Sequence, residues 1–89
     1  MSRARPLRLA WSPAARRDLI RLRAFIELHI PDAARRAAQA LNKAARLLCD
    51  QPDIGRRMEG RQDRELAVPF GQRGYLIRYR LHDDVIVVL

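Results

Sequence analysis

The apolar residues change their spacing partway along this chain, and that change dictates most of what it can fold into. From Pro13 to about Cys49 they recur every three or four positions, the period of a helix face. From residue 64 onward they recur in β-rich runs, at residues 64–68, 75–81 and 85–89, the second alternating cleanly. A short alternating run at residues 7–11 precedes the helical region, with Leu7, Leu9 and Trp11 on one face. The element order is therefore β-α-α-β-β-β. The class is α+β, with a helical hairpin laid on one face of a four-stranded sheet. A chain of 89 residues makes one domain, residues 1–89, with a core near the lower limit for independent stability.

Punctuation sharpens the helices. Ser12 can cap the N–H groups of the next turn, and Pro13 suits the first helical position, where no N–H is needed. Pro31 disfavours helical dihedrals at Ile30, so the first helix ends before it and a second opens on Pro31-Asp32. In the first helix, Ala15, Leu19, Leu22 and Ile26 form a core stripe, while Ile20, Ala24 and Leu28 lie nearly opposite. In the second, Ala34, Ala38, Leu41, Ala45 and Leu48 face inward, flanked by Ala33, Ala37 and Ala44. Small side chains let backbones approach closely, which predicts a tight antiparallel hairpin. Arg35, Arg36, Gln39, Lys43 and Arg46 face away. Among the strands, Tyr75, Ile77, Tyr79 and Leu81 share one face and Leu76, Arg78 and Arg80 the other. The last run, Val85-Ile86-Val87-Val88-Leu89, is apolar on both faces, so its second face calls for a cover: further chain, a partner, or a second copy.

Charge narrows the partners. The net charge is +8, and 17 of the 18 basic residues are Arg, Lys43 being the exception. Residues 1–30 hold seven Arg against two acids, residues 31–50 four bases against two, and residues 51–89 seven Arg against six acids. Such a chain is drawn to nucleic acid or to an acidic protein. No apolar run reaches membrane-spanning length, the arginine-rich start lacks the apolar centre of a signal peptide, and the single Cys49 reads as a small core-edge residue in a reducing cytosol.

Chemistry is sparse. His29, His82 and Cys49 show no metal-ligand spacing, and Gly71 and Gly74, flanking Gln72-Arg73, read as a hairpin loop, so neither a metal nor a cofactor is expected. The one conceivable catalytic set is that of a metal-independent ribonuclease, which needs a base, an acid and cations for the phosphorane. Arg61, Arg64, Arg78 and Arg80 could supply the charge, and Glu65, Tyr79 or His82 the proton carrier. Any basic sheet offers as much, so no residue is assigned as catalytic.

Five stretches in order carry a more specific signal: Trp11-Ser12-Pro13-Ala14-Ala15-Arg16-Arg17-Asp18-Leu19, Pro31-Asp32-Ala33-Ala34-Arg35-Arg36, Gln51-Pro52-Asp53-Ile54-Gly55-Arg56, Arg64-Glu65-Leu66 and Tyr75-Leu76-Ile77-Arg78-Tyr79-Arg80. From Leu7 to Leu89 the chain resembles the RelE/ParE toxins of bacterial type II toxin–antitoxin systems, and specifically the ParE branch. The resemblance implies a helical hairpin on a small, mainly antiparallel sheet. It further implies a cytoplasmic toxin that poisons DNA gyrase and is silenced by an acidic, ParD-like antitoxin in a hetero-oligomer, with DNA contacted through the antitoxin. The alternative branch, RelE, cleaves messenger RNA on the ribosome. Both branches usually continue for several basic or aromatic residues past the position of Leu89, so the expectation is either a short C-terminal tail beyond Leu89 or a toxin that is short.

Two surfaces follow as expectations. Ile20, Ala24 and Leu28, together with Val85, Val87 and Leu89, are the candidate antitoxin-binding residues. Arg56, Arg57, Arg61, Arg64, Arg73, Arg78 and Arg80 are the candidate target-binding residues, unless several of them merely balance Glu59, Asp63, Glu65, Asp83 and Asp84.

Overall fold

The computed structural model describes residues 7–29, 31–70 and 73–89. Its elements are β1 (Arg8–Trp11), α1 (Pro13–His29), α2 (Pro31–Asp50), β2 (Arg56–Arg57), β3 (Arg64–Phe70), β4 (Arg73–His82) and β5 (Val85–Val88). The sheet has five strands in the order β1-β5-β4-β3-β2, antiparallel throughout except for the parallel pair β1–β5. The expected four strands are present, and β2 is a fifth. It consists of two residues, too few to show a period in the sequence, and exists because Arg56 and Arg57 pair with Glu65 and Arg64.

The helix starts follow the local chemistry. Ser12 Oγ accepts the Ala15 N–H at 3.0 Å, and the Ser12 carbonyl accepts the Arg16 N–H at 2.9 Å. Ser12 N–H in turn donates to the Val88 carbonyl, so the cap also closes the β1–β5 ladder. At the far end of α2 the Cys49 carbonyl accepts the Leu7 N–H, tying the helix terminus to the start of the chain's first strand. Of the hairpin loop expected at Gly71 to Gly74, Gly71 and Gln72 fall outside the described residues, whereas Arg73 and Gly74 already belong to β4 and pair with Phe70 and Pro69.

The hairpin is antiparallel, because the packed pairs run in opposite order. Ala15 of α1 shares a buried cluster with Leu41 and Leu48, whereas Ile26 shares one with Ala33, Ala34 and Ala37. α2 lies across the sheet against β1, β3 and β5, while α1 rests mainly on α2 and β1. Alanines allow this arrangement: Ala45 and Leu48 are fully buried, and the flanking row Ala33–Ala37 is as deep as the inner one. Because α1 sits on α2, Leu19 and Leu22 are half-buried, and Leu66 on the sheet is half-buried too. An open apolar cleft of about 170 Å³ remains between α1 and the sheet, lined by Trp11, Leu19, Leu22, Ile77, Val88 and Leu89 among others.

Tyr79 joins the sheet to the loop that follows α2. It is 1% exposed, and its hydroxyl donates to the Pro52 carbonyl at 2.6 Å and accepts the Gly55 N–H at 2.9 Å. Gly55 is required by this close approach: a Cβ there would stand 2.5 Å from the Tyr79 oxygen. Arg64 completes the tie, donating to the carbonyls of Gly55 at 2.9 Å and Asp53 at 3.2 Å.

Two stability outcomes are expected. Leu48→Ala should cost about 2–5 kcal/mol, read as a lower denaturation midpoint with an unchanged m value. Tyr79→Phe should cost about 1–3 kcal/mol by stranding the buried Gly55 and Pro52 groups. Burial raises the Tyr79 pKa above the ordinary 10.0, against the lowering effects of the Gly55 N–H and Arg64, and burial with Asp50 nearby raises the Cys49 thiol above 9.0. Both neutral forms are therefore favoured by folding. Their contributions are complete below those ordinary values and are lost as pH rises through the folded ones. Stability should start to fall as pH rises past the ordinary thiol value of 9.0 in the wild type, and Cys49→Ala should remove the first part of that fall.

Candidate interaction surfaces

The register sorts the arginines, because residues directly opposite on neighbouring strands share a face. Tyr79 faces the helices, and so does its partner Arg64, as does Arg57 opposite Arg64. Arg56, Glu65 and Arg78 form a row on the open face, and Arg80 follows on the same face two residues along β4. Thus Arg56, Arg78 and Arg80 come together, whereas Arg64 and Arg57 are on the other side. Arg61 lies in the loop before β3, and Arg73 opens β4 at its far end, its side chain being outside the described residues.

Carboxylates hold this open-face group. Glu65 stands 3.4 Å from Arg56 and 3.7 Å from Arg78, its side chain only 15% exposed. Arg80 Nε donates to Asp63 at 2.7 Å, and the Asp63 carboxylate is almost wholly buried. The balancing role of Asp63 and Glu65 is thus real. Arg57 and Arg61 have no ion pair among the described residues. His82, at the end of β4, stands 3.8 Å from Asp83, and both are exposed. Asp83 takes a left-handed φ of 54°, which an Asp tolerates in a two-residue hairpin turn. Asp84 pairs with Arg8 at 2.9 Å, and that hydrogen bond holds the Asp84 carboxyl below its usual pKa.

The apolar candidates divide as well. Ile20 and Leu28 are 68% and 81% exposed on the outward side of α1, with Ala24 between them. Phe25 widens that stripe. It is 61% exposed, and its ring stacks on His29 with centroids 4.2 Å apart. It lies off the i, i+4, i+8 row of Ile20, Ala24 and Leu28, so helical spacing alone does not pick it out. Val85 and Val87 lie on the open face of the sheet, opposite Arg8 and Ala10 on one side and His82 and Arg80 on the other. They are half-buried, so the second face of β5 is already partly covered by its neighbours. Leu89 is at the mouth of the cleft, its N–H bonded to the Arg78 carbonyl at 2.8 Å. The α1 stripe and the two valines are therefore on opposite sides of the molecule, and a partner covering both must wrap around it. Leu76, 68% exposed, with Ala67 opposite it and Ile54 nearby, is a further apolar patch of the open face that strand alternation alone placed with the arginines.

Among the described residues no cluster of His, Cys, Asp and Glu could hold a metal, and no helix is long and apolar enough to cross a membrane. The pattern of the ParE toxin of type II toxin–antitoxin systems, of the parDE kind, matches residues 9–89, which is nearly every element described above. The chain belongs to that family. It is 41% identical over 76 residues to the toxin RelE3 of Caulobacter vibrioides, covering 85% of this chain and 82% of that protein. It is also 41% identical over 70 residues to the toxin RelE1 of the same organism, covering 79% and 74%. This is a toxin of the ParE/RelE superfamily, and its family implies an antitoxin partner.

Arg80→Gln should cost about 1–3 kcal/mol by leaving the buried Asp63 carboxylate without its donor. Arg61→Gln, exposed and unpaired, should stay within about 0.5 kcal/mol of wild type in urea unfolding.

Proposed function

We propose that this toxin arrests growth in the cytoplasm by poisoning DNA gyrase, and that an acidic, ParD-like antitoxin silences it in a hetero-oligomer. The target contact is assigned to the open face of the sheet and its preceding loop: Arg56, Arg78 and Arg80, with Arg57, Arg61 and Arg73 at the margins. Arg64 serves that surface indirectly, by fixing the loop that carries Arg56. The observation carrying this reading is the carboxylate-braced arginine group across β2, β3 and β4. Braced guanidinium groups lose little freedom on binding and suit the centre of a protein interface. A ribonuclease would need those cations for the phosphorane, and here Glu65 and Asp63 compete for them.

The antitoxin is assigned to Ile20, Ala24 and Leu28, extended by Phe25, and to Val85, Val87 and Leu89. Apolar area supplies the lasting affinity, and the +8 charge speeds the encounter with an acidic chain. DNA is reached through the antitoxin in the complex. The second reading, cleavage of messenger RNA on the ribosome, draws support from the RelE names of the two relatives and from His82, two residues along β4 from Arg80.

Expression of the toxin should make linearised DNA accumulate, and the purified protein should inhibit supercoiling by gyrase. Charge reversal at Arg61 and Arg78 should abolish toxicity while antitoxin binding persists, and Ile20→Glu should weaken antitoxin binding. Transcripts cut at codons, with supercoiling untouched, would replace the gyrase reading with the ribonuclease one. Persistent toxicity of the reversal variants would remove the sheet face as the target contact.

A further inference from the structure

A second basic surface lies on a part of the toxin that the proposed contacts leave unused. Between residues 33 and 49 of α2 there is no acid, and Arg35, Arg36, Gln39, Asn42, Lys43 and Arg46 are all exposed. At helical spacing these six side chains occupy about a third of the circumference, opposite the alanine row that meets the sheet. From Arg35 to Arg46 the row is about 16 Å long. Among the described residues, every ion pair lies on α1, on the strands or in their loops, and none reaches these four cations. The sheet, in contrast, carries its arginines against nearly as many carboxylates.

The composition of the face selects its occupant. A protein interface is built around apolar or aromatic anchors, and here only Leu47, 43% exposed at the margin, is apolar. Single-stranded nucleic acid is held by stacking on aromatic rings, and α2 contains none. What remains is a straight, convex row of donors. Guanidinium, ammonium and carboxamide groups are the ones that contact phosphate oxygens of a duplex without reading its bases. We propose that the outward face of α2 docks on the phosphate backbone of double-stranded DNA, independently of sequence. The toxin would then add its own DNA contact to whatever the antitoxin supplies, whether or not gyrase is the target.

The test is fluorescence anisotropy of the purified toxin with a labelled, arbitrary-sequence duplex about two turns long, over a range of salt. The logarithm of the binding constant should fall against that of salt with a slope of about −3, for three to four neutralised phosphates. Lys43→Gln with Arg46→Gln should flatten the slope by about two and weaken binding at low salt by about tenfold or more. Arg21→Gln with Arg23→Gln removes the same net charge from the exposed side of α1 and should change binding by less than about twofold. All four positions are exposed, and matched circular dichroism verifies that both variants keep the fold. Equal losses in the two double variants would reduce the effect to net charge and overturn the proposal. So would absence of duplex binding, tighter binding to a single strand of the same length, or equal, α2-dependent binding to polyglutamate.

Discussion

The arginine group across β2, β3 and β4 depends on one buried hydroxyl. Tyr79 is in the middle of β4, under α2, and its oxygen is shared between the Pro52 carbonyl and the Gly55 N–H. These two bonds pull the chain leaving α2 against the sheet just before Arg56, so that β2 can pair with β3 at all. Two residues of strand bring little stability of their own. Arg64 adds bonds to the carbonyls of Asp53 and Gly55 from the same side, which makes a single cross-braced unit of the loop, β3 and β4. A buried polar group of this sort stabilises only when every member is paired, and here each one is.

The consequence on the opposite face is order among charges. With β2 in register, Glu65 lies between Arg56 and Arg78, and Arg80 meets the buried Asp63. Exposed ion pairs contribute little to stability, and the pairs of Arg8 and of Arg23 belong to that class. The pairs of Glu65 and Asp63 differ because the carboxylates are largely withdrawn from water, so they orient their arginines rather than float beside them. The fold thus separates two kinds of positive charge. Arg56, Arg78 and Arg80 are braced by carboxylates, which suits a specific contact. The α2 cations have no ion pair among the described residues, which suits long-range attraction.

Much of the architecture was legible because each helix announces itself twice, by period and by proline. Pro13 and Pro31 mark both starts, and Leu41, Ala45 and Leu48 lie where the 3.6-residue repeat puts them. β2 was not legible, since pairing of two polar residues leaves no pattern to read. Nor was the division of the arginines. Alternation within β4 separates Arg78 from Tyr79, but only the register between strands reveals that Arg64 joins the tyrosine and Arg56 joins Arg78. Asp63 read as a surface charge, because nothing local to it foretells burial under a guanidinium seventeen residues away. For the apolar candidates the helical period put Ile20, Ala24 and Leu28 on one exposed side of α1, but it could show neither Phe25 beside them nor their separation from Val85 and Val87, which is a property of the sheet's two faces.

The Tyr79 hydroxyl thus anchors the loop and, through it, the arginine face. Native-state hydrogen exchange at the Gly55 amide tests this anchoring most directly, because that N–H has the tyrosine oxygen as its acceptor. This amide should exchange only through global unfolding, with a protection free energy that matches overall stability, and Tyr79→Phe should move it to fast local exchange. Exchange of the Gly55 amide at the rate of exposed loop amides in the wild type, or protection that survives Tyr79→Phe, would contradict it.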